Sequence, residues 1–434
     1  MKRLAALWPI VLLGVWLCPL PAHAQATPDS GATAWLLTST ALVLLMTLPG
    51  LALFYGGLVR SRNVLSVLMQ CFALCCIVSL LWLAFGYSIA FSESGPAGLF
   101  GGISKAWLRG VEVDSISGAV PETAFVMFQL TFAIITPALV VGGFAERMKF
   151  SAVLWFSAAW LLLVYIPVCH WVWGGGWLAQ RGVLDFAGGI VVHINAGIAG
   201  LAGAIILGKR HGLGKKSFTP HNLPLTILGA GMLWFGWFGF NAGSALSSGG
   251  LAANAFLTTN TAAGAAMLGW VFVDYLKYGR TTTLGAVSGA VAGLVAITPA
   301  AGFVGPLASI AIGLAAGIGC AYAVNLKVRR GYDDALDVVG VHAVGGIIGA
   351  LLVGVFAEKS INPAGANGLL AGGGLGLLGK QALAVGVTLA FSFSGSWLLL
   401  KLVEHLVGLR VTHDEEQKGL DHSLHQEAGY MFSE

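Results

Sequence analysis

Charged side chains are scarce in this sequence. Only 10% of the 434 residues are Asp, Glu, Lys or Arg, whereas 57% are hydrophobic and 62 residues are glycine. So little charge excludes a disordered chain, a nucleic-acid-binding protein and an ordinary soluble enzyme. The net charge of +4 does not indicate an anionic partner, because the basic residues lie in short connections between apolar runs.

Cysteines are also few, and their positions show neither paired nor metal-site spacing. We therefore interpret them as small packing residues and predict no disulfide framework, no metal site and no cofactor. The six cysteines are Cys18, Cys71, Cys75, Cys76, Cys169 and Cys320.

The first 24 residues have the features of a secretory signal peptide. Lys2 and Arg3 precede an apolar run over 4–17, and Ala22-His-Ala24 follows two prolines. A basic start, a short apolar core and a small-residue cleavage site predict that 1–24 is removed, with an uncleaved first span as the alternative. The mature chain then begins outside the cytoplasm, with a transmembrane domain over 25–409.

Long apolar runs fill the rest of the chain. Because about 20 apolar residues cross the hydrocarbon core as a helix, the runs predict an all-α polytopic membrane protein with eleven transmembrane helices. The runs cover 34–58, 64–91, 122–146, 150–171, 188–208, 223–245, 253–275, 282–299, 303–326, 338–357 and 381–404.

The basic residues predict the orientation, since Lys and Arg are enriched on the cytoplasmic side. With the mature N-terminus outside, sixteen fall on cytoplasmic connections or the C-terminal end and only five on external ones. We predict a multi-pass membrane protein whose mature N-terminus lies outside the cytoplasm and whose C-terminus lies inside it. The mixed charges of the tail, 410–434, are typical of a disordered end. The five external residues are Lys105, Arg109, Arg181, Lys359 and Lys380.

A sequence pattern that occurs twice suggests that the chain consists of two halves of opposite orientation. Asp185 precedes His193 at the start of the fifth span, and Asp337 precedes His342 at the start of the tenth. The spacing is eight residues in one copy and five in the other, so the match is imperfect. Two five-helix inverted repeats plus a C-terminal helix would place a substrate path at the interface of the repeats.

Apart from cysteines, the ionisable residues near mid-membrane are His193 and His342. Ionisable groups at this depth usually face a bundle interior or a cavity, and the inverted repeats would set these two opposite each other. Such a pair could share a proton and bind a small polar molecule. The alternatives are two separately satisfied core histidines, or metal or haem ligation.

Aromatic residues cluster near the predicted external ends. Trp173 stands beside a glycine run, Phe128 and Phe132 are one helical turn apart, and Phe240 lies in the sixth span. A tryptophan there could attract a small cation, although a membrane-interface anchor and plain core packing explain these residues as well. Asp185 suits a helix N-cap and could also stabilise a cation at the mouth.

Several ordered motifs give the chain a resemblance to the ammonium transporter (Amt/Mep/Rh) family, and to its bacterial branch in particular. One is Gly236-Trp-Phe-Gly-Phe-Asn-Ala-Gly-Ser244 and another is Asp337-Val-Val-Gly-Val-His342. The resemblance covers essentially the whole mature chain. The other matching stretches are 49–57, 145–147, 170–176, 184–189, 191–195, 220–224 and the tail from 408.

This resemblance implies a homotrimer with one pore in each subunit, a substrate of ammonium or ammonia, and no enzymatic activity. It also implies a cytoplasmic partner, a trimeric PII-type nitrogen regulator. By resemblance, Trp173, Phe128 and Ser244 bind ammonium with Asp185 nearby, Phe132 and Phe240 form a gate, and His193, His342 and Trp237 line the pore. An ammonium sensor, a passive channel for neutral ammonia or carbon dioxide, and a membrane redox enzyme remain alternatives.

Overall fold

The computed structural model describes residues 27–93, 95–215 and 218–430. The predicted signal peptide, 1–24, lies outside the described residues. Helices dominate, and the strands β1 (Ile116–Ser117) and β2 (Val120–Pro121) form a small antiparallel hairpin. The described helices of six or more residues are α1 Ser30–Leu58, α2 Ser61–Phe91, α3 Glu122–Phe144, α4 150–172, α5 Gly189–Leu207, α6 Leu223–Gly243, α7 Gly250–Tyr278, α8 Thr283–Ile297, α9 Pro306–Arg330, α10 Val339–Phe356, α11 Gly376–Val407, α12 His413–Lys418 and α13 Leu420–His425.

Eleven apolar helices in the described residues confirm the predicted spans, and every boundary lies within five residues of its expected position. In the described part of the chain, ten helices are long and apolar enough to cross a membrane, and α8 is a shorter apolar helix. The first span bends at Leu48, whose backbone is not helical, because Pro49 has no amide hydrogen to continue the helix.

The two halves of the bundle pack as inverted repeats. Helix α1 packs against its equivalent α6, and α5 packs against its equivalent α10. Within the halves, α3 packs on α5 as α8 packs on α10. The predicted fold class is therefore confirmed, and the interface between the repeats passes between α5 and α10.

Glycine lets α5 and α10 approach closely. A Cβ atom added to Gly197 on α5 would collide with the backbone of Ala343, and one added to Gly346 on α10 would lie 2.9 Å from the carbonyl oxygen of Gly189. Small residues allow this close contact between helices in a membrane. Since each glycine lies four residues after a histidine, the same contact fixes the separation of His193 and His342.

Ion pairs tie four connections together at one end of the bundle, which we call the basic end. Arg210 contacts both Glu146 and Asp333, and Glu146 also accepts from Arg60. The connections that follow α1, α3, α5 and α9 therefore meet on one side, as the predicted alternation of the spans requires. Burial alone would raise the pKa of Glu146 and of Asp333, but the neighbouring guanidiniums outweigh it and hold both values below the ordinary range.

The tail corrects an expectation from the sequence, because it is ordered against the basic end as far as residue 430. The carboxylate of Asp421 accepts hydrogen bonds from the amides of Leu65 and Ser66 at the start of α2. Glu416 is buried and accepts from the amide of His211 and from Arg410. The mixed charges of the tail are thus partners for distant connections rather than a solvated, disordered end.

Candidate functional site

The start of α5 is organised around Asp185. Its carboxylate accepts hydrogen bonds from the amides of Gly188, Gly189, Ile190 and Val191 at 2.6–3.0 Å. The backbone turns into this position at Gly188, whose φ of +115° suits glycine. Burial raises the pKa of Asp185, and the four amides oppose that rise. The carboxylate thus accepts free amides at the helix start, as predicted, although the N-cap residue is Gly188 rather than Asp185. A direct role toward a cation stays a prediction.

Asp334 occupies the equivalent position before α10, which corrects the pairing of Asp185 with Asp337. The Asp334 carboxylate accepts from the amides of Val338 and Val339 at 3.1 and 2.8 Å, the same offsets that join Asp185 to Gly189 and Ile190. Asp337 instead forms an ion pair with Lys327. Burial raises the pKa of Asp334, against the opposing charge of Lys327.

The two buried histidines lie side by side at the interface of the repeats. Their Nδ1 atoms are 3.3 Å apart, and their rings are 5.3 Å apart at an angle of 24°. Each ring stands in a π-helical turn at the start of its helix, Gly189–Ile194 or Val339–Ala343. One Nδ1 must donate and the other accept. The Nε2 atom of His193 is buried without a partner in the described structure.

A column of rings leads to the histidine pair. Phe132 stacks on Phe240 at 4.2 Å, and the ring of Phe240 lies 6.0 Å from His193. Trp237 stacks on His193 at 5.4 Å and donates its indole hydrogen to the hydroxyl of Thr298. Because these rings are almost completely buried, the column presents an apolar barrier that the histidines interrupt.

A cavity of about 280 Å³ lies beyond Phe132, at the end of the column away from the histidines, and we call it the mouth cavity. Its lining includes Trp173 and Ser244, two of the residues predicted to bind substrate, together with Gln129, which the sequence analysis missed. Phe128 is outside the lining; it is fully buried and packs 5.0 Å from the ring of Phe132. The complete lining is Phe91, Phe125, Gln129, Phe132, Val172, Trp173, Phe186, Ser244 and Leu246.

Hydrogen bonds fix the polar atoms of two of these residues. The indole of Trp173 donates to the carbonyl oxygen of Asp185 at 2.8 Å, and the hydroxyl of Ser244 donates to that of Phe240 at 2.8 Å. Trp173 also contacts Phe132 edge-on at 5.7 Å. The mouth cavity therefore offers aromatic rings and an oxygen acceptor, a combination that suits a small cation carrying N–H groups.

A second cavity, of about 480 Å³, opens at the basic end and is lined by Lys209, Phe218, Lys327 and Leu336 among others. The histidine pair thus belongs to a region with a cavity toward each end of the bundle. Among the residues that the structure describes, no group of three or more His, Cys, Asp or Glu side chains is arranged to hold a metal ion. For a metal or haem centre at the histidine pair, the described residues therefore offer only the two imidazole rings as ligands.

Comparison with known proteins assigns this architecture to a family. The model of the Ammonium Transporter Family matches residues 34–430. An ammonium transporter of Bacillus subtilis is 51% identical over 406 residues, covering 93% of this chain and 99% of that protein. The ammonium transporter Amt1 of Archaeoglobus fulgidus is 46% identical and covers 93% of this chain and 100% of that protein.

Solved structures show the same fold. The crystal structure of Saccharomyces cerevisiae Mep2 has a TM-score of 0.82 at 35% identity and covers 90% of this chain and 89% of that chain. A structure described as a sensor Amt protein has a TM-score of 0.83 at 32% identity and covers 91% of this chain and 98% of that chain.

Proposed function

This chain belongs to the ammonium transporter family, and from that premise we propose that it recruits ammonium at the mouth cavity and passes ammonia between His193 and His342. The observation that carries the proposal is the continuous arrangement of aromatic cavity, ring column and histidine pair. On this proposal the protein is a membrane transporter rather than an enzyme.

Recruitment depends on the charge of ammonium. The faces of Trp173 and Phe132 attract a cation, and a desolvated contact of this kind contributes about 2 kcal/mol. The hydroxyl oxygen of Ser244 accepts an N–H bond while its own hydrogen remains bonded to Phe240. Asp185 acts through the backbone that it holds, because its buried carboxylate is already occupied by amides.

Selectivity depends on proton loss. A bare ion in a low-dielectric interior incurs a penalty of several kcal/mol or more, so the column formed by Phe132 and Phe240 rejects potassium. Ammonium gives up its proton at this gate, either to water on the side of the mouth cavity or to the histidine pair, and continues as neutral ammonia. The histidine pair then offers ring nitrogens as donor and acceptor to ammonia, or relays the proton separately.

The proposal extends to orientation and assembly. The basic end faces the cytoplasm of a bacterium and the mouth cavity faces the periplasm, as the excess of basic residues indicates. The subunits form a homotrimer with one pore each. The cavity at the basic end, which both basic and acidic side chains line, is where a PII-type regulator would meet the pore.

Purified protein in liposomes tests the function directly. An inward ammonium gradient should produce uptake that saturates with concentration and that protein-free liposomes lack. Uptake equal to that of protein-free liposomes over the whole concentration range would contradict a transport function.

An ammonium sensor is a second candidate, favoured by the likeness to the sensor Amt structure and by the docked tail. In a sensor, the tail would report occupancy of the site while little substrate passes. Removal of 410–434 distinguishes the two functions. A sensor shows negligible ammonium flux with or without the tail and loses signalling in cells when the tail is removed. A transporter shows ammonium flux in liposomes when the tail is intact.

A further inference from the structure

The mouth cavity contains an amide group that the described protein leaves unsatisfied. Gln129 is only 9% exposed and lines the cavity, and its Oε1 atom is buried with no hydrogen-bond partner. A buried polar atom without a partner destabilises the folded protein. Most buried polar groups in native proteins have partners, and Gln129 differs from the other unpartnered buried side chains of the described residues because it lies in the wall of the mouth cavity.

The helix fixes Gln129 in the cavity wall. Phe125, Gln129 and Phe132 stand four and three residues apart on α3 and share one face, and all three line the cavity. Phe128, the preceding residue, is not part of the lining. The amide is therefore held on a rigid helix between two aromatic rings, where a ligand group is placed more accurately than on a loop.

The other polar groups of the cavity leave acceptors available. Ser244 has committed its hydrogen to Phe240, and Trp173 has committed its indole hydrogen to Asp185. An amide can turn its oxygen or its nitrogen toward a given point by rotating half a turn, so an acceptor is available in either assignment. Two oxygen acceptors in an otherwise aromatic and aliphatic cavity match a ligand with several N–H donors.

We propose that Gln129 is a further ligand of the transported cation and sets its affinity at the mouth cavity. Its amide oxygen accepts one N–H of ammonium, the hydroxyl oxygen of Ser244 accepts a second, and the rings of Phe132 and Trp173 surround the charge. The inference rests on the proposed function, since it assigns a new contact at the same site.

The test compares concentration dependence of ammonium uptake in liposomes at one pH. Gln129→Met removes the acceptor with little change in volume, and we expect about a tenfold rise in the half-saturating concentration, which corresponds to about 1.4 kcal/mol. The maximal rate should fall by a smaller factor. Gln129→Glu keeps an oxygen acceptor in place and should restore the half-saturating concentration to the wild-type value or below it.

A matched control is available on α2. Gln70 is 2% exposed and also has an unpartnered Oε1 atom, but it lies outside the mouth cavity and its amide nitrogen contacts Ser66. Gln70→Met removes a buried amide of the same kind and should leave the half-saturating concentration unchanged. Gln129→Leu replaces the methionine variant if the latter fails to give monodisperse protein.

Two results would overturn the assignment of Gln129 while leaving the proposed function intact. One is that Gln129→Met and Gln129→Leu both take up ammonium at the wild-type rate with an unchanged half-saturating concentration. The other is an equal rise in Gln129→Met and Gln129→Glu, which indicates that the side chain only shapes the wall. Absence of uptake by the wild-type protein would instead reject the proposed function itself.

Discussion

Asp334 stands before His342 as Asp185 stands before His193, and in each pair the aspartate lies eight positions before the histidine. Both carboxylates accept the backbone amides four and five residues later. Each therefore holds the start of the π-helical turn that carries a histidine. The two imidazoles meet because two equivalent aspartates fix the starts of α5 and α10 at the interface of the repeats.

Replacing Asp334 tests that role. Asp334→Ala leaves two buried amides without an acceptor, and we expect a loss of about 1–3 kcal/mol in stability for each unsatisfied group, together with slower ammonium uptake. Asp337→Ala, three residues later, removes a carboxylate that is partly exposed and pairs with Lys327. The thermal midpoint of the detergent-purified protein should fall more for Asp334→Ala, and the reverse order would contradict the equivalence.

Much of this architecture could be predicted from the sequence. A membrane span is recorded locally, in about 20 consecutive apolar residues, so every helix boundary lay close to its predicted position. The meeting of His193 and His342 followed from their matching places in two halves. Asp334 was missed because the neighbours of Asp337 resemble those of Asp185, although the eight-residue spacing to the histidine identifies Asp334 correctly.

The remaining features depend on contacts between distant parts of the chain. Asp421 accepts amides more than 350 residues earlier, and no local pattern reveals such a partner. The charged residues of the tail therefore suggested a disordered segment, whereas in the structure they hold the tail against the basic end. Gln129 lies within an apolar run, and a single polar residue there forms no pattern from which a site could be predicted. Only the structure shows that its amide oxygen lacks a partner and that the residue lines a cavity.

The contact of α5 with α10 predicts a strong dependence on Gly197. Gly197→Ala places a methyl group against Ala343, and overpacking of this kind costs about 1–3 kcal/mol. The separated helices should also slow ammonium uptake. Gly231→Ala on α6 is the control, because no atom lies within 4 Å of the added carbon. Equal thermal midpoints for the two variants would contradict close packing at the interface.

Trp173 should govern recruitment more than conduction. Trp173→Leu removes the ring that faces the mouth cavity, and a loss of about 1–2 kcal/mol of cation attraction raises the half-saturating ammonium concentration roughly tenfold. Trp171→Leu removes an indole that donates to Leu99 and is not part of the cavity lining, so its half-saturating concentration should stay near the wild-type value. A fall in maximal uptake with unchanged half-saturation in Trp173→Leu would place the residue elsewhere in the path.

The basic end predicts acid sensitivity. Glu146 and Asp333 have pKa values below their ordinary 4.5 and 3.8, so the folded state binds protons less readily than the unfolded state. Their contribution to stability is complete above those ordinary values and is lost as the pH falls through the depressed values. Thermal midpoints measured from pH 7 to pH 3 should show this decline.

Glu146→Gln should remove part of that decline. It breaks a buried ion pair, at a cost of about 3–5 kcal/mol near neutral pH, and therefore leaves less to lose on acidification. Glu404→Gln, whose carboxylate is exposed and pairs with Lys401, should follow the wild-type curve. An identical acid decline in wild type and Glu146→Gln would show that other carboxyl groups control it.

The most direct measurement compares ammonium and potassium across liposomes that contain wild-type protein, His193→Ala, His342→Ala or His405→Ala, at several pH values. We predict ammonium transport without a potassium current for the wild type and for His405→Ala, whose histidine is exposed on α11. Each change in the histidine pair should alter the ammonium rate or its pH dependence in protein that remains folded. Ammonium transport that keeps its rate and pH dependence in both His193→Ala and His342→Ala would contradict passage between the two rings.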